Sequence, residues 1–184
     1  IDFSSNMLSF LQASLNKSDL KKVTLLEEDA GKISLKNKSI DFLFAYTSLY
    51  YIPHQNKVIK EISRVLKKDG ICILEFGNIN SLNTIVSEEQ HKTEGWAKPY
   101  HIPISEMKKL LKDNDLNPFE WRSFQISPMY GAPRKFRYLL PILSNKWKFI
   151  MGIKVGKKIL DEWISSLPIL KSIAFRHIVV SKKL

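Results

Sequence analysis

The sequence predicts an α/β fold, a doubly wound sheet whose strands run mostly parallel, and three observations carry the prediction. Ile40–Ala45 is a short apolar run rich in strand formers, as in a strand buried on both faces. Between Gln55 and Lys68 the apolar residues Val58, Ile59, Ile62, Val65 and Leu66 recur at i, i+1, i+4, i+7 and i+8. That spacing is one stripe of a helix, with Lys57, Lys60, Glu61, Arg64 and Lys67 on the solvated side. Ile71–Phe76 then reads as a second buried strand. Two buried strands joined by a crossover helix imply a parallel pair.

The connections fit this unit. Tyr46–Pro53 is a loop that keeps its aromatics. Lys68–Asp69–Gly70 is expected to stop the helix, with cations at its negative end and a glycine that tolerates a left-handed turn. Upstream, Ile1–Asp2–Phe3–Ser4–Ser5 reads as the end of a strand turning into a helix, with Met7, Leu8, Leu11 and Leu15 inward. Val23–Glu27 reads as the next strand, ending at Glu28–Asp29–Ala30.

Downstream, Ser87–Pro103 is polar and irregular, carrying His91, Trp96, Tyr100 and His101. A loop with several rings over a rigid sheet is a candidate substrate wall. Ile104–Asn114 reads as a helix with Met107, Leu110 and Leu111 inward. Asn117–Ile126 and Ala174–Lys182 are expected as the last two strands.

The wording of the central stretch resembles the class I S-adenosylmethionine-dependent methyltransferases. Asp41 opens an apolar strand, Leu49–Tyr50–Tyr51–Ile52–Pro53 follows, and then Glu61–Ile62–Ser63–Arg64–Val65–Leu66–Lys67–Lys68–Asp69–Gly70. The family writes these as a strand and loop ending in LHHIPD, then REI.RVLKPGG. The chain departs from it at Tyr50 and Tyr51, where many relatives carry His, and at Asp69, where Gly is commoner. Gly77–Asn78–Ile79–Asn80–Ser81–Leu82 and the run from His101 to Leu116 resemble later family segments.

The resemblance implies a Rossmann-like sheet with an antiparallel last strand, and S-adenosyl-L-methionine as cofactor. By it, Asp2 would hold the ribose hydroxyls, and Asp29 with the Ala30 backbone would meet the adenine. Phe3, Ala45, Tyr46 and Leu49 would complete the cofactor contacts. Tyr50, Tyr51, Asn78, Trp96 and Tyr100 are candidates for the acceptor side. His101 is the candidate general base, needed if the acceptor is a hydroxyl whose proton must leave. The family's first strand and Gly-rich loop should precede Asp2. None of the seven glycines forms such a cluster, so the expectation is a domain lacking its first strand.

Composition bounds the remaining options. A chain of 184 residues, 44% hydrophobic, suggests one domain spanning 1–184. Its lone cysteine, Cys72, excludes a disulfide framework and reads as a small core residue in a cytoplasmic protein. No metal-ligand cluster is evident. The formal charge of +11 gathers in part between residues 127 and 170, read as a helical cap inserted before the last strand. From Arg122 to Lys158 there is no acid, while Arg134, Lys135, Arg137, Lys146, Lys148, Lys154, Lys157 and Lys158 alternate with Phe136, Tyr138, Trp147 and Phe149. Lys154–Ile164 is expected to be an amphipathic helix aligning Val155, Ile159, Leu160, Trp163 and Ile164.

Such a segment suits an anionic acceptor or a peripheral position on an anionic membrane surface, or else a packed lid whose rings are buried and whose lysines only keep it soluble, with nucleic acid ranked last. The leading reading is methyl transfer to a small-molecule, lipid or saccharide acceptor. Its rival is a non-catalytic membrane-surface or nucleic-acid-binding module on the same fold. A nicotinamide oxidoreductase ranks third, since the glycine turn it needs is absent as well.

Overall fold

The structure, a computed structural model, describes residues 1–126 and 149–184. In chain order it contains helices α1 (Ser5–Ser14) and α2 (Lys17–Leu20), strand β1 (Ile40–Ala45), a 3-10 turn at Leu49–Tyr51, helix α3 (Gln55–Val65) and strand β2 (Leu66–Gly77). Helices α4 (Leu82–Glu94) and α5 (Ile104–Asp113) and strand β3 (Leu116–Phe124) follow. From residue 149 on come strands β4 (Lys154–Val155) and β5 (Lys158–Ile159), helices α6 (Leu160–Ser165) and α7 (Pro168–Lys171), and strand β6 (Arg176–Lys183).

One sheet has the order β1-β2-β6-β3. β1 and β2 pair in parallel, while β6 runs antiparallel to both β2 and β3. Three strands therefore share a direction and the last one opposes them, as the sequence leads one to expect.

Successive side chains of a strand face opposite sides, and β2 divides accordingly. Cys72, Leu74 and Phe76 pack in the core with Val58, Ile59 and Ile62 of α3 and Met107 and Leu111 of α5. Val58, Ile59, Ile62 and Val65 are at most 3% exposed, so the apolar stripe of α3 is the face that packs. The Cys72 thiol is buried here and its pKa is pushed up to about 12 by that burial. The other face of β2 carries Ile71, Ile73 and Glu75. Their β1 partners on that face are Phe42 beside Ile71 and Phe44 beside Ile73.

β1 departs from its expected two-sided burial. Phe42 is 53% and Phe44 70% exposed, because β1 is an edge strand of the sheet and this face is uncovered there. The N-terminal expectation is corrected as well. Met7 and Leu11 are exposed and α1 buries no residue. Val23–Glu27 forms no strand but a single parallel bridge, Asp2 to Glu27, since only the first residues lie alongside it.

The turn before β2 works differently from its sequence reading. α3 ends at Val65, and Lys67–Gly70 form an irregularity in the β1–β2 ladder between the pairs Ile40–Leu66 and Phe42–Ile71. The left-handed residue is Asp69, at φ 64°, and not Gly70. Gly70 answers a steric need: a Cβ there would lie 2.9 Å from the Lys67 carbonyl oxygen and 3.3 Å from that of Asp41.

Two of the residues assigned to the solvated side of α3 fasten a loop. Arg64 donates to Glu61, to the carbonyls of Ile33 and Leu35 and to Asn37, while Glu61 accepts from the Ile33 amide. The guanidinium holds the Glu61 pKa below the ordinary range.

Two further elements depart from expectation. Ser87–Glu94 is helical, part of α4, which Ser81 caps by accepting from the Asn83 amide and Gly95 ends at φ 71°. Lys154–Ile159 is a β-hairpin and not a helix, because Gly156 at φ 65° reverses the chain between β4 and β5. Val155 and Trp163 are consequently 44% and 53% exposed. α6 is tied to β3 by a two-pronged ion pair from Arg122 to Glu162, at 2.8 and 2.6 Å. The rest of the expected cap, residues 127–148 with Arg134, Lys135, Arg137, Lys146 and Lys148, lies outside the described residues.

Candidate functional site

The carboxyl ends of the parallel strands are where an open α/β sheet binds ligands. Here a cavity of about 300 Å³ opens beside Tyr46, which follows β1, and Glu75 near the end of β2. Phe124, Met151, Ile159 and Ile178 give it apolar walls, and Gln125, Asp161 and Arg176 add polar groups. Register places Glu75 beside Ile178, and Arg176 beside both Gly77 and Phe124. All of these therefore share the sheet face opposite the core.

The charged groups differ in how fully they are engaged. Asp161 is 4% exposed and accepts from the Gln125 and Ile126 amides, which fixes it as part of the wall. Glu75 is 5% exposed, and its Oε2 accepts from the Thr47 amide at 2.8 Å. That bond braces Thr47 in a left-handed conformation at φ 56°. The other oxygen, Oε1, faces Arg176 Nε at 3.6 Å. Arg176 lies over the Tyr50 ring at 3.5 Å and the Phe175 ring at 4.0 Å, a cation stacked between aromatic faces.

His101 sits behind this cation. Thr84 Oγ1 donates to the Asn78 carbonyl at 2.6 Å, so its contact of 2.7 Å with His101 Nδ1 requires the ring to donate. The neutral ring thus carries its proton on Nδ1 and turns its Nε2 lone pair toward Arg176 Nη1, 3.5 Å away. Burial, and then the Arg176 charge, push its pKa down to about 3. The ring fits only because position 77 has no side chain, since a Cβ on Gly77 would land on His101 Cδ2. These are the surroundings of a packed imidazole.

The acceptor-side candidates fall into two groups. Tyr51, Trp96 and His101 meet, with Tyr50 and Arg176, at a second cleft of about 30 Å³. Tyr51 and Trp96 are exposed there, and Lys98 lies over the Tyr100 ring. Tyr50 is buried under Arg176, and burial raises its phenol to about 12. Asn78 belongs to the scaffold: its side-chain amide donates to the Ser172 and Ala174 carbonyls, each at 2.8 Å, and its oxygen accepts from Asn80. Leu49, expected at the cofactor, is 1% exposed in the core, because the 3-10 turn tucks it toward α3.

Glu75, Arg176 and Asp161 were not among the residues singled out from sequence. A signal existed for the first two, since each interrupts an otherwise apolar strand, and a charge buried in a sheet requires a partner. Nothing local marks Asp161. Among the described residues no three His, Cys, Asp or Glu side chains cluster as metal ligands.

Residues 1–74 match the family model for a methyltransferase domain. Over 75 residues the chain is 33% identical to the demethylmenaquinone methyltransferase of Bacillus cereus strain B4264, covering 40% of this chain and 32% of that protein. A solved S-adenosylmethionine-dependent methyltransferase from Mesorhizobium loti superposes with a TM-score of 0.62, over 99% of this chain and 78% of that one, at 12% identity. The chain has the fold of the class I methyltransferases. A geranyl diphosphate methyltransferase solved with S-adenosylmethionine shares the fold at a TM-score of 0.61 and 14% identity, covering 100% of this chain and 67% of that one. The matched stretch is about a third of the length of the curated relative.

Within the methyltransferase fold, Asp2 and Asp29 lie at the same end of neighbouring backbones. Asp2 bridges Glu27, and the Glu28 amide donates to the Asp2 carbonyl. Asp2 Oδ1 accepts from the Ser4 amide at 2.8 Å, and Asp29 Oδ1 from the Gly31 amide at 2.7 Å. Each carboxylate is aimed by its own backbone through one oxygen. Among the described residues the second oxygen has no hydrogen-bond partner. Phe3 and Tyr46 are 80% and 64% exposed at this end, and Ala45 is half-buried.

Proposed function

We propose that the protein is a methyltransferase that takes its methyl group from S-adenosyl-L-methionine and passes it to a small, largely apolar acceptor. The observation that carries this reading is the cavity beside Tyr46 at the carboxyl ends of the parallel pair, in a chain whose first 74 residues match a methyltransferase domain. When bound, the cofactor would supply an electrophilic methyl on a sulfonium. Transfer then needs alignment and exclusion of water more than it needs acid–base groups.

The residues present suit the adenosine half of that cofactor. A carboxylate accepts two hydrogen bonds from a vicinal diol, and Asp2, half-buried with one oxygen to spare, is placed for it. Asp29 and the Ala30 amide would meet the adenine, and the exposed rings of Phe3 and Tyr46 would flank it. For the acceptor, the apolar walls of Phe124, Met151, Ile159 and Ile178 favour an apolar body over a saccharide. Two relatives are named for small-molecule acceptors, demethylmenaquinone and geranyl diphosphate. His101 acts here as packing, since both its ring nitrogens are engaged. The test is transfer of label from methyl-labelled S-adenosylmethionine to panels of apolar small molecules, lipids and saccharides. Label in the apolar panel supports the reading; label only in saccharides contradicts it.

A second observation favours contact with a membrane surface. Between Phe149 and Lys171 both acids, Asp161 and Glu162, are buried and engaged, whereas Phe149, Trp163 and Ile169 are 78%, 53% and 83% exposed. Lys154, Lys157 and Lys158 are exposed in the same segment. Its outer surface is therefore apolar and cationic, which suits an anionic bilayer at about 1 kcal/mol per cation. Sedimentation with anionic but not neutral vesicles is the expected result, and indifference to both would remove this reading.

A further inference from the structure

We propose that Glu75 takes the proton from the methyl acceptor while Arg176 holds the oxyanion that results, so that the cavity is built for a phenol or enol on an apolar body. The inference rests on the methyl-transfer reading above.

The geometry separates this pair from the other polar groups of the cavity. Asp161 gives its carboxylate to two backbone amides. Glu75 gives only Oε2 to the Thr47 amide, and Oε1 has no hydrogen bond among the described residues. Arg176 has five N–H donors, yet among the described residues no acceptor comes closer than 3.5 Å. It is held instead by the Tyr50 and Phe175 faces, which fix its position without occupying its donors. A buried carboxylate oxygen and a buried guanidinium, 3.6 Å apart and both on a cavity wall, can be bridged from the cavity side by one hydroxyl that donates to Oε1 and accepts from the guanidinium. The cavity, about 300 Å³ with mostly apolar walls, matches one or two fused rings better than a polyol.

In the step this implies, the acceptor O–H bond breaks and the proton passes to Glu75 Oε1. The oxygen's electron pair forms the new O–CH₃ bond, the S–CH₃ bond breaks with its electrons going to sulfur, and the sulfonium becomes a neutral thioether. Arg176 holds the oxygen's negative charge until the bond forms, a fixed charge already in place before the reaction. Glu75 then releases its proton to solvent as the product leaves.

The probe is 2-naphthol, whose excited state emits at different wavelengths as naphthol and as naphtholate, and which ionises faster with a proton acceptor held against its hydroxyl. The full-length protein should bind it and show naphtholate emission. Glu75→Gln keeps an oxygen for the Thr47 amide and should bind the probe within about threefold of the parent, with emission reverting to the neutral band. Arg176→Lys, which keeps the charge but not the fork, should bind more weakly and ionise the probe less. If 2-naphthol is methylated, Glu75→Gln should lower kcat about 10²- to 10⁴-fold with KM little changed. Failure of the probe to bind, or naphtholate emission unchanged in Glu75→Gln, overturns the inference. Parallel calorimetry with S-adenosylmethionine separates the two failures: no cofactor binding defeats the methyl-transfer reading, whereas cofactor binding with an indifferent probe defeats only this one.

Discussion

At the scale of single residues, the site turns on how tightly His101 is packed behind Arg176. Because a Cβ on Gly77 would land on the imidazole, Gly77→Ala should destabilise the fold by about 1–3 kcal/mol. A smaller side chain at 101 should relieve much of that loss, and urea unfolding of the two single variants and the double variant measures the coupling. The same packing sets a pH dependence. Folded His101 resists protonation, its pKa lowered by burial and by Arg176 from 6.5 to about 3, whereas the unfolded chain takes up the proton near the ordinary value. The unfolded state therefore binds more protons between these values, and stability present above about pH 6.5 falls away as the pH drops toward 3. His177, lowered to about 4 by burial and then by Lys171, adds to the same slope. Unfolding titrations on acidification should show it, and a profile without slope below neutrality would mean that both rings are solvated.

At the scale of elements, the turn into β2 shows what sequence reading reaches and where it stops. The apolar stripe of α3 and the two strands beside it were legible because burial leaves a period in the chain. The assignment of backbone roles to Asp69 and Gly70 was not, since both a left-handed φ and a close approach favour the same residue type. The structure predicts opposite responses at neighbouring positions. Asp69→Gly should stabilise by about 0.5–1 kcal/mol, the relief of the left-handed conformation outweighing the loss of an exposed pairing with Lys182. Gly70→Ala should destabilise, since the contacting atoms are backbone carbonyls that cannot step aside. Thermal unfolding decides both, and equal signs would refute the assignment. The β4–β5 hairpin was missed for a related reason: Val155, Ile159, Leu160 and Trp163 also match helical spacing, and only Gly156 signals the reversal. α4 was missed although Ser81 and Gly95 mark its two ends, because its middle is polar and its apolar stripe weak.

At the scale of the whole molecule, the two ends of the site differ in legibility. Asp2 and Asp29 stand where chain order suggests, at the ends of neighbouring backbones, each aimed by a bond to its own loop. Glu75, Arg176 and Asp161 come from β2, β6 and α6, and no local pattern links residues brought together by a sheet register. The central claim, binding of S-adenosylmethionine through the first of these ends, is tested most directly by calorimetric titration of the cofactor into the full-length protein and its Asp2→Ala variant. Losing a charged acceptor costs about 1.5–3 kcal/mol, so the variant should bind roughly ten- to a hundredfold more weakly, while the lost bond to the Ser4 amide should lower its stability by only about 0.5–1.5 kcal/mol. No heat of binding in the parent, or equal affinity in parent and variant, would contradict the claim.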